Sequence, residues 1–184
     1  MIETASGHEI GEPIVHRLGG ETWFPNWLPD NHSFVYGRRQ ELPPGAPAEE
    51  FRQKIRSFRH VLGTDPEKDT PVFGYGVVPR IEVAASLIAS VTSRANCKYA
   101  LGVLDQSVEP NKAFYIMPVD SVGKADAGWR KVADLTDEVS DVVVHGDDLY
   151  ALTSKDTPRY KVLRIDASKP DLTMRKWSFP KEKE

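Results

Sequence analysis

Val139-Ser-Asp-Val-Val-Val-His-Gly-Asp-Asp-Leu-Tyr-Ala-Leu-Thr153, closed by Tyr160-Lys-Val-Leu-Arg-Ile-Asp166, is the stretch that decides the fold. Two short β-branched or aromatic runs flank the turn Gly146-Asp-Asp148, and a third run ends on aspartate. Runs of this kind, bounded by Gly and Asp, read as hairpin strands. Asp suits the reversal because it tolerates positive φ and bonds its own backbone. The pattern recurs twice upstream in other letters. Leu87 to Val91, Tyr99-Ala-Leu-Gly-Val103 and Ala113-Phe-Tyr-Ile-Met-Pro-Val-Asp120 form one copy. Trp23 to Tyr36 with Phe58-Arg-His-Val-Leu-Gly-Thr-Asp65 form the other. A repeat of about fifty residues is the spacing of propeller blades. The predicted class is therefore all-β: a β-propeller fragment of about three four-stranded antiparallel blades, plus a remnant of a preceding blade. A generic antiparallel sandwich is the alternative.

Residues 1–18 are read as the remnant, with Pro13 to Leu18 as an outer strand. The blades are placed at 20–76, 86–137 and 139–180. Their strands are predicted at 23–28, 33–39, 55–62 and 71–75, then 87–92, 99–105, 112–119 and 129–135, then 139–145, 149–154, 160–166 and 173–179. Further hairpin turns fall at Pro29 to Ser33 and Arg94 to Lys98. No long amphipathic helix is present in the pattern. Ala48 to Phe58 follows Leu-Pro-Pro-Gly-Ala-Pro and is read as a loop with one helical turn. The Pro-rich stretch 40–53 interrupts the first blade. It is either a solvated loop with internal charge pairing or a docking arm. Trp23 and Trp27 are expected on the buried inner side of that blade. Val142, Val144 and Leu152 are expected on the open face of the third.

Composition narrows the functional classes. The chain has 184 residues, 40% hydrophobic and 28% charged, as in an ordinary globular domain. A net charge of −3 favours neither nucleic acid nor a membrane surface as partner. Aromatics do not interleave with basic residues as a nucleic-acid face requires. The one cysteine, Cys97, allows no intrachain disulfide, which fits a reducing compartment. No stretch is long and apolar enough for a transmembrane helix, and the N-terminus lacks a signal-peptide pattern. A cytoplasmic location is the expectation for the chain as it stands, and any signal peptide on a longer parent would be missing.

Catalytic chemistry is hard to place. A serine nucleophile on a strand-to-helix elbow needs Gly-x-Ser-x-Gly; Ser121-Val-Gly has glycine on one side only. The five histidines offer no base-and-acid pairing. His145, beside Gly146-Asp-Asp148, is read as a structural hydrogen-bonder, and His8, His16 and His32 as surface residues. One Cys and scattered His give no zinc spacing. The acidic cluster Asp134, Asp137, Glu138 and Asp141 is read as a solvated turn. No catalytic residue, metal or cofactor is assigned.

His60-Val-Leu-Gly-Thr-Asp-Pro-Glu-Lys-Asp69 resembles the strand motif HxLGTxxxxD of the prolyl oligopeptidase family of serine peptidases. The motif residues are His60, Gly63, Thr64 and Asp69. Trp27 to Tyr36 resembles the family's hairpin upstream of the motif. Trp129-Arg-Lys-Val and Ser154 to Leu163 resemble its downstream segments, in the same order. The resemblance implies a propeller segment of an enzyme whose α/β-hydrolase peptidase domain, with the rest of a seven-bladed propeller, is absent here. In that family the propeller restricts access to short peptides, which are cut after proline. By position, the family's cavity-lining aromatic falls at Trp23 (or Thr22), its methionine near Ile88, its arginine at Asp105 and its cysteine near Val108. Asp105 reverses the charge. For Trp23 and Ile88 core packing is the competing role. The implied partners are the peptidase domain, the remaining blades and short peptides. The alternative is a stand-alone propeller-type interaction module or a truncated remnant.

Overall fold

The computed structural model describes residues 2–9, 25–94, 97–124, 128–172 and, for the backbone, 176–177. Among the described residues, twelve strands form three four-stranded antiparallel sheets, each ordered as in the chain. The first sheet holds β1 (Asn26–Trp27), β2 (Ser33–Arg38), β3 (Arg56–Val61) and β4 (Thr70–Gly74). The second holds β5 (Ile88–Thr92), β6 (Tyr99–Asp105), β7 (Ala113–Pro118) and β8 (Arg130–Ala133). The third holds β9 (Val139–His145), β10 (Asp148–Thr153), β11 (Lys161–Asp166) and β12 (Lys176–Trp177). The stretch 48–52 forms a single 3-10 turn. It is held by Gln40 Nε2, which donates to Glu50 O, and by the Arg39 guanidinium stacked 4.6 Å from the Phe51 ring centroid. The expected strand at 13–18 and Trp23 lie outside the described residues.

Strand periodicity explains how the sheets stack. Alternate residues point to opposite faces, and the middle sheet is apolar on both. Its Ala89, Val91, Ala100, Leu104 and Met117 pack on Val35, Val72 and Phe73 of the first sheet. Its Leu101, Phe114 and Ile116 pack on Val142, Val144, Leu149 and Leu163 of the third. A sheet buried on both faces loses clean polar alternation. Phe73, fully buried, is the centre of the first interface. Its ring lies 4.7 Å from that of Trp129 and 5.5 Å from that of Tyr115. Gly102 makes room for it: a Cβ there would sit 2.9 Å from Phe73 Cζ. Trp129 Nε1 also donates to Val72 O at 3.0 Å, so the buried indole keeps its partner. Gly74 closes β4 at φ +114°, and a Cβ there would meet Ile55 O at 2.6 Å. Only glycine fits such a backbone.

Polar side chains link the sheets at their rims. Arg59 Nη1 donates to Val122 O at 3.4 Å, and Lys98 pairs with Asp147 at 2.8 Å. Arg130 Nη2 donates to Ala167 O at 3.0 Å.

Two expectations about facing are corrected. Val142 and Val144 do not lie on an open face; both are buried against the middle sheet. Their register partners Ala151 and Leu149 share that face, whereas Leu152 points to the other and is half-buried. Trp27 is not buried but 46% exposed. It lies on a two-residue edge strand, where Phe34 meets it edge-on at 5.5 Å and, among the described residues, no strand flanks its other side in the sheet.

Candidate functional site

Antiparallel order brings loops 39–55, 75–87, 106–112, 134–138 and 154–160 to one end of the three sheets. Sheet-edge loops of this kind carry binding residues on a rigid scaffold. Three of the four sequence candidates sit at this end. Ile88 opens β5 and is the register partner of Asp105, which closes β6. Ile88 is half-buried beside the packed core. The Asp105 carboxylate pairs with Lys112 at 3.0 Å, both about one-third exposed. Its Oδ1 also accepts from Ser107 N at 2.7 Å, which shapes a turn with Ser107 at φ 70°. Val108, on that turn, is 88% exposed. Lys112 N donates to Val139 O at 2.9 Å, tying the loop to the third sheet. The charge reversal at Asp105 is therefore neutralised locally by Lys112, a partner the sequence reading did not name. An acid and a lysine seven residues apart carry no signal until the loop that joins them is known.

Below this pair a cleft of about 440 Å³ runs between β5–β6 and β9. Its floor is apolar, with Leu101, Phe114 and Val142, and Ser90 and Thr92 line its wall. The small polar side chains Ser90 and Thr92 of β5 face the third sheet, while Phe114 of β7 is buried in the same interface.

The His60 motif builds a different structure, a buried polar network on the first sheet. His60 Nδ1 lies 3.0 Å from Asp69 Oδ1, and Tyr36 Oη donates to Asp69 Oδ2 at 2.6 Å. Arg38 Nη2 reaches the same oxygen at 3.4 Å and also donates to Pro66 O. The Arg38 guanidinium stacks over Phe58, 4.7 Å from its centroid. Asp69 and Arg38 side chains are only 3% and 6% exposed. Burial pushes the Tyr36 phenol well above its ordinary range, and the hydrogen bond to Asp69 adds to it. Gly63 takes φ +81°, and Thr64 Oγ1 donates to Val61 O at 2.7 Å, so the motif's middle forms the turn that returns Asp69 to His60. Buried charges persist only when paired and hydrogen-bonded; here one carboxylate serves three partners. The sequence did not reveal Tyr36 and Arg38 as partners of Asp69, although their i, i+2 spacing from Phe34 placed all three on one strand face.

Asp134 and Asp137 of the acidic cluster are spent locally. Asp134 and Asp137 form a reciprocal cap on a 3-10 turn. Asp134 pairs with Lys131 and Asp137 with Lys155. The Lys131 hydrogen bond leads in holding the Asp134 carboxyl below its usual range. Among the described residues, no three His, Cys, Asp or Glu side chains converge to hold a metal ion. His145 is exposed at the end of β9.

Comparison with known proteins places this geometry. The family profile described as "Prolyl oligopeptidase, N-terminal beta-propeller domain" matches residues 4–183. The chain belongs to the prolyl oligopeptidase propeller family. It is 26% identical to the dual function macrocyclase-peptidase POPB of Galerina marginata, over 95% of this chain and 24% of that protein. A solved structure from a study of two prolyl endopeptidases matches 98% of this chain and 24% of its own, at 23% identity and TM-score 0.73. Oligopeptidase B from Leishmania major matches 83% of this chain and 19% of its own, at 18% identity and TM-score 0.59. The chain thus spans about a quarter of the length of these relatives (24%, 24% and 19%). The three sheets are a prolyl oligopeptidase propeller fragment.

Proposed function

We propose that this chain is the non-catalytic propeller segment of a prolyl-oligopeptidase-like serine endopeptidase. In the whole enzyme it gates and lines the cavity for short proline-containing peptides, beside an α/β-hydrolase peptidase domain. The observation that carries this reading is the meeting of Ile88, Asp105 and Val108 at the loop end of the middle sheet. By position, the family resemblance puts its propeller-side substrate contacts here, with the charge reversed at Asp105. The Asp105–Lys112 pair presents a neutral, hydrogen-bonded rim in place of the family's arginine, so recognition there rests on shape and apolar contact at Ile88 more than on charge. An exposed apolar Val108 on this turn suits a wall that admits varied peptides.

The reading assigns the chemistry to another domain. Acyl transfer at neutral pH needs an activated nucleophile, an oriented base and oxyanion donors. The purified chain, incubated with a proline-containing fluorogenic peptide, is expected to give no turnover above buffer. It is also expected to take up no serine-directed phosphonate by mass spectrometry. Turnover that the phosphonate abolishes, with one modified serine, would overturn the assignment.

A further inference from the structure

The cleft between the second and third sheets has a charge polarity of which the proposed gating role uses only the Asp105–Lys112 pair. At its loop end lie Asp141 and the Asp105–Lys112 pair, a net charge of −1. At its far end lies Arg94, which is exposed and forms no ion pair among the described residues. Asp141 accepts from Val142 N at 2.8 Å and pairs with no cation among the described residues. Between these ends stand the hydroxyls of Ser90 and Thr92, half-exposed and without a side-chain hydrogen bond among the described residues. The flanking strands β5 and β9 are the edge strands of their sheets. Alternate backbone amides of an edge strand point away from its own sheet and can pair with an added strand.

We propose that this cleft binds a short peptide with free termini, extended along β5, its ammonium at Asp141 and its carboxylate at Arg94. The length follows from the geometry. β5 runs from Ser90 two steps to its end at Thr92, with Arg94 two residues beyond; four residues of extended chain reach at most roughly 13 Å. A fully extended chain of three to four residues reaches about 10–14 Å. The cleft's 440 Å³ lies in the ordinary range for small-ligand sites. Arginine binds carboxylate through a planar two-donor fork, which favours a terminal carboxylate over a neutral amide. Serine and threonine hydroxyls can donate or accept, so they suit a peptide backbone of any side-chain sequence. The proposal rests on the gating role only for the source of such peptides, as fragments released nearby. Its own warrant is the charge pattern of the cleft.

Calorimetric titration of the chain with trialanine and tetra-alanine tests it, with N-acetyl and C-amide forms of each. Saturable binding of the free-terminus forms is expected, weakened about tenfold or more by amidation, as for loss of one charge-assisted pair. R94Q should weaken the free peptide similarly and abolish the difference between acid and amide. D141N should do the same for acetylation. Both side chains are exposed, so the unfolding midpoints should match that of the parent chain. Absence of saturable binding, or binding indifferent to amidation and to R94Q, overturns the proposal. Either result leaves the absence of peptidase turnover, and hence the gating reading, untouched.

Discussion

Phe73→Ala is expected to lower the unfolding free energy by about 3–5 kcal/mol, the range for removing a buried aromatic. Phe73 has no exposed surface and fills the space between the first and second sheets. It touches Tyr115 and Trp129 and lies over Gly102, so its loss empties a site walled by rigid strands. Such walls collapse poorly, which puts the cost towards the top of the range. Gly102→Ala probes the same contact from the other side. The added methyl would meet the Phe73 ring at 2.9 Å, and overpacking of this kind costs about 1–3 kcal/mol. The pair should be non-additive, because Phe73→Ala removes the ring that the new methyl strikes. Urea melts of the two single variants and the double variant read both effects. A Phe73→Ala midpoint equal to the parent's would mean that the sheets do not stack through this residue.

Asp69→Ala should cost as much, by a different route. It leaves Arg38 buried without its counter-charge and deprives Tyr36 and His60 of their acceptor. Removing one partner of a buried ion pair typically costs about 3–5 kcal/mol. Tyr36→Phe removes one hydrogen bond and keeps the ring, so about 0.5–1.5 kcal/mol is expected. Melts showing Asp69→Ala less damaging than Tyr36→Phe would deny the carboxylate its central place.

The strands themselves were legible in the sequence because each carries β-branched or aromatic residues between Gly, Asp or Pro turns. Val139–His145 and Tyr99–Asp105 coincide with the predicted spans. What period-two alternation cannot tell is which face meets which neighbour. Val142-Val143-Val144 is apolar throughout, so the sequence alone left the buried pair undecided, and the expectation chose the wrong surroundings for Val142 and Val144. Trp27 misled for a related reason: size and apolarity favour burial, but an edge strand two residues long cannot cover an indole on both sides. At the candidate site, Ile88 and Asp105 are seventeen residues apart, and only the register of β5 on β6 makes them partners. Lys112, predicted to open a strand, and Arg94, predicted to open a turn, were not read for their charges, because side-chain direction just outside a strand depends on the backbone path. The His60 motif was legible as a unit, but its chemistry, one carboxylate holding three buried groups, needed the fold to bring Asp69 back to β3.

The central proposal is that this chain shapes access to a peptidase site carried by another domain. The most direct measurement exchanges these residues for the matching quarter of the propeller in a full-length prolyl endopeptidase. One then compares kcat/KM for a short proline peptide and for a thirty-residue peptide carrying the same cleavage site. The account predicts a folded chimera that cleaves the short peptide and still discriminates against the long one. A chimera that is folded and fully labelled by a serine-directed phosphonate, yet cleaves both peptides equally, would contradict it.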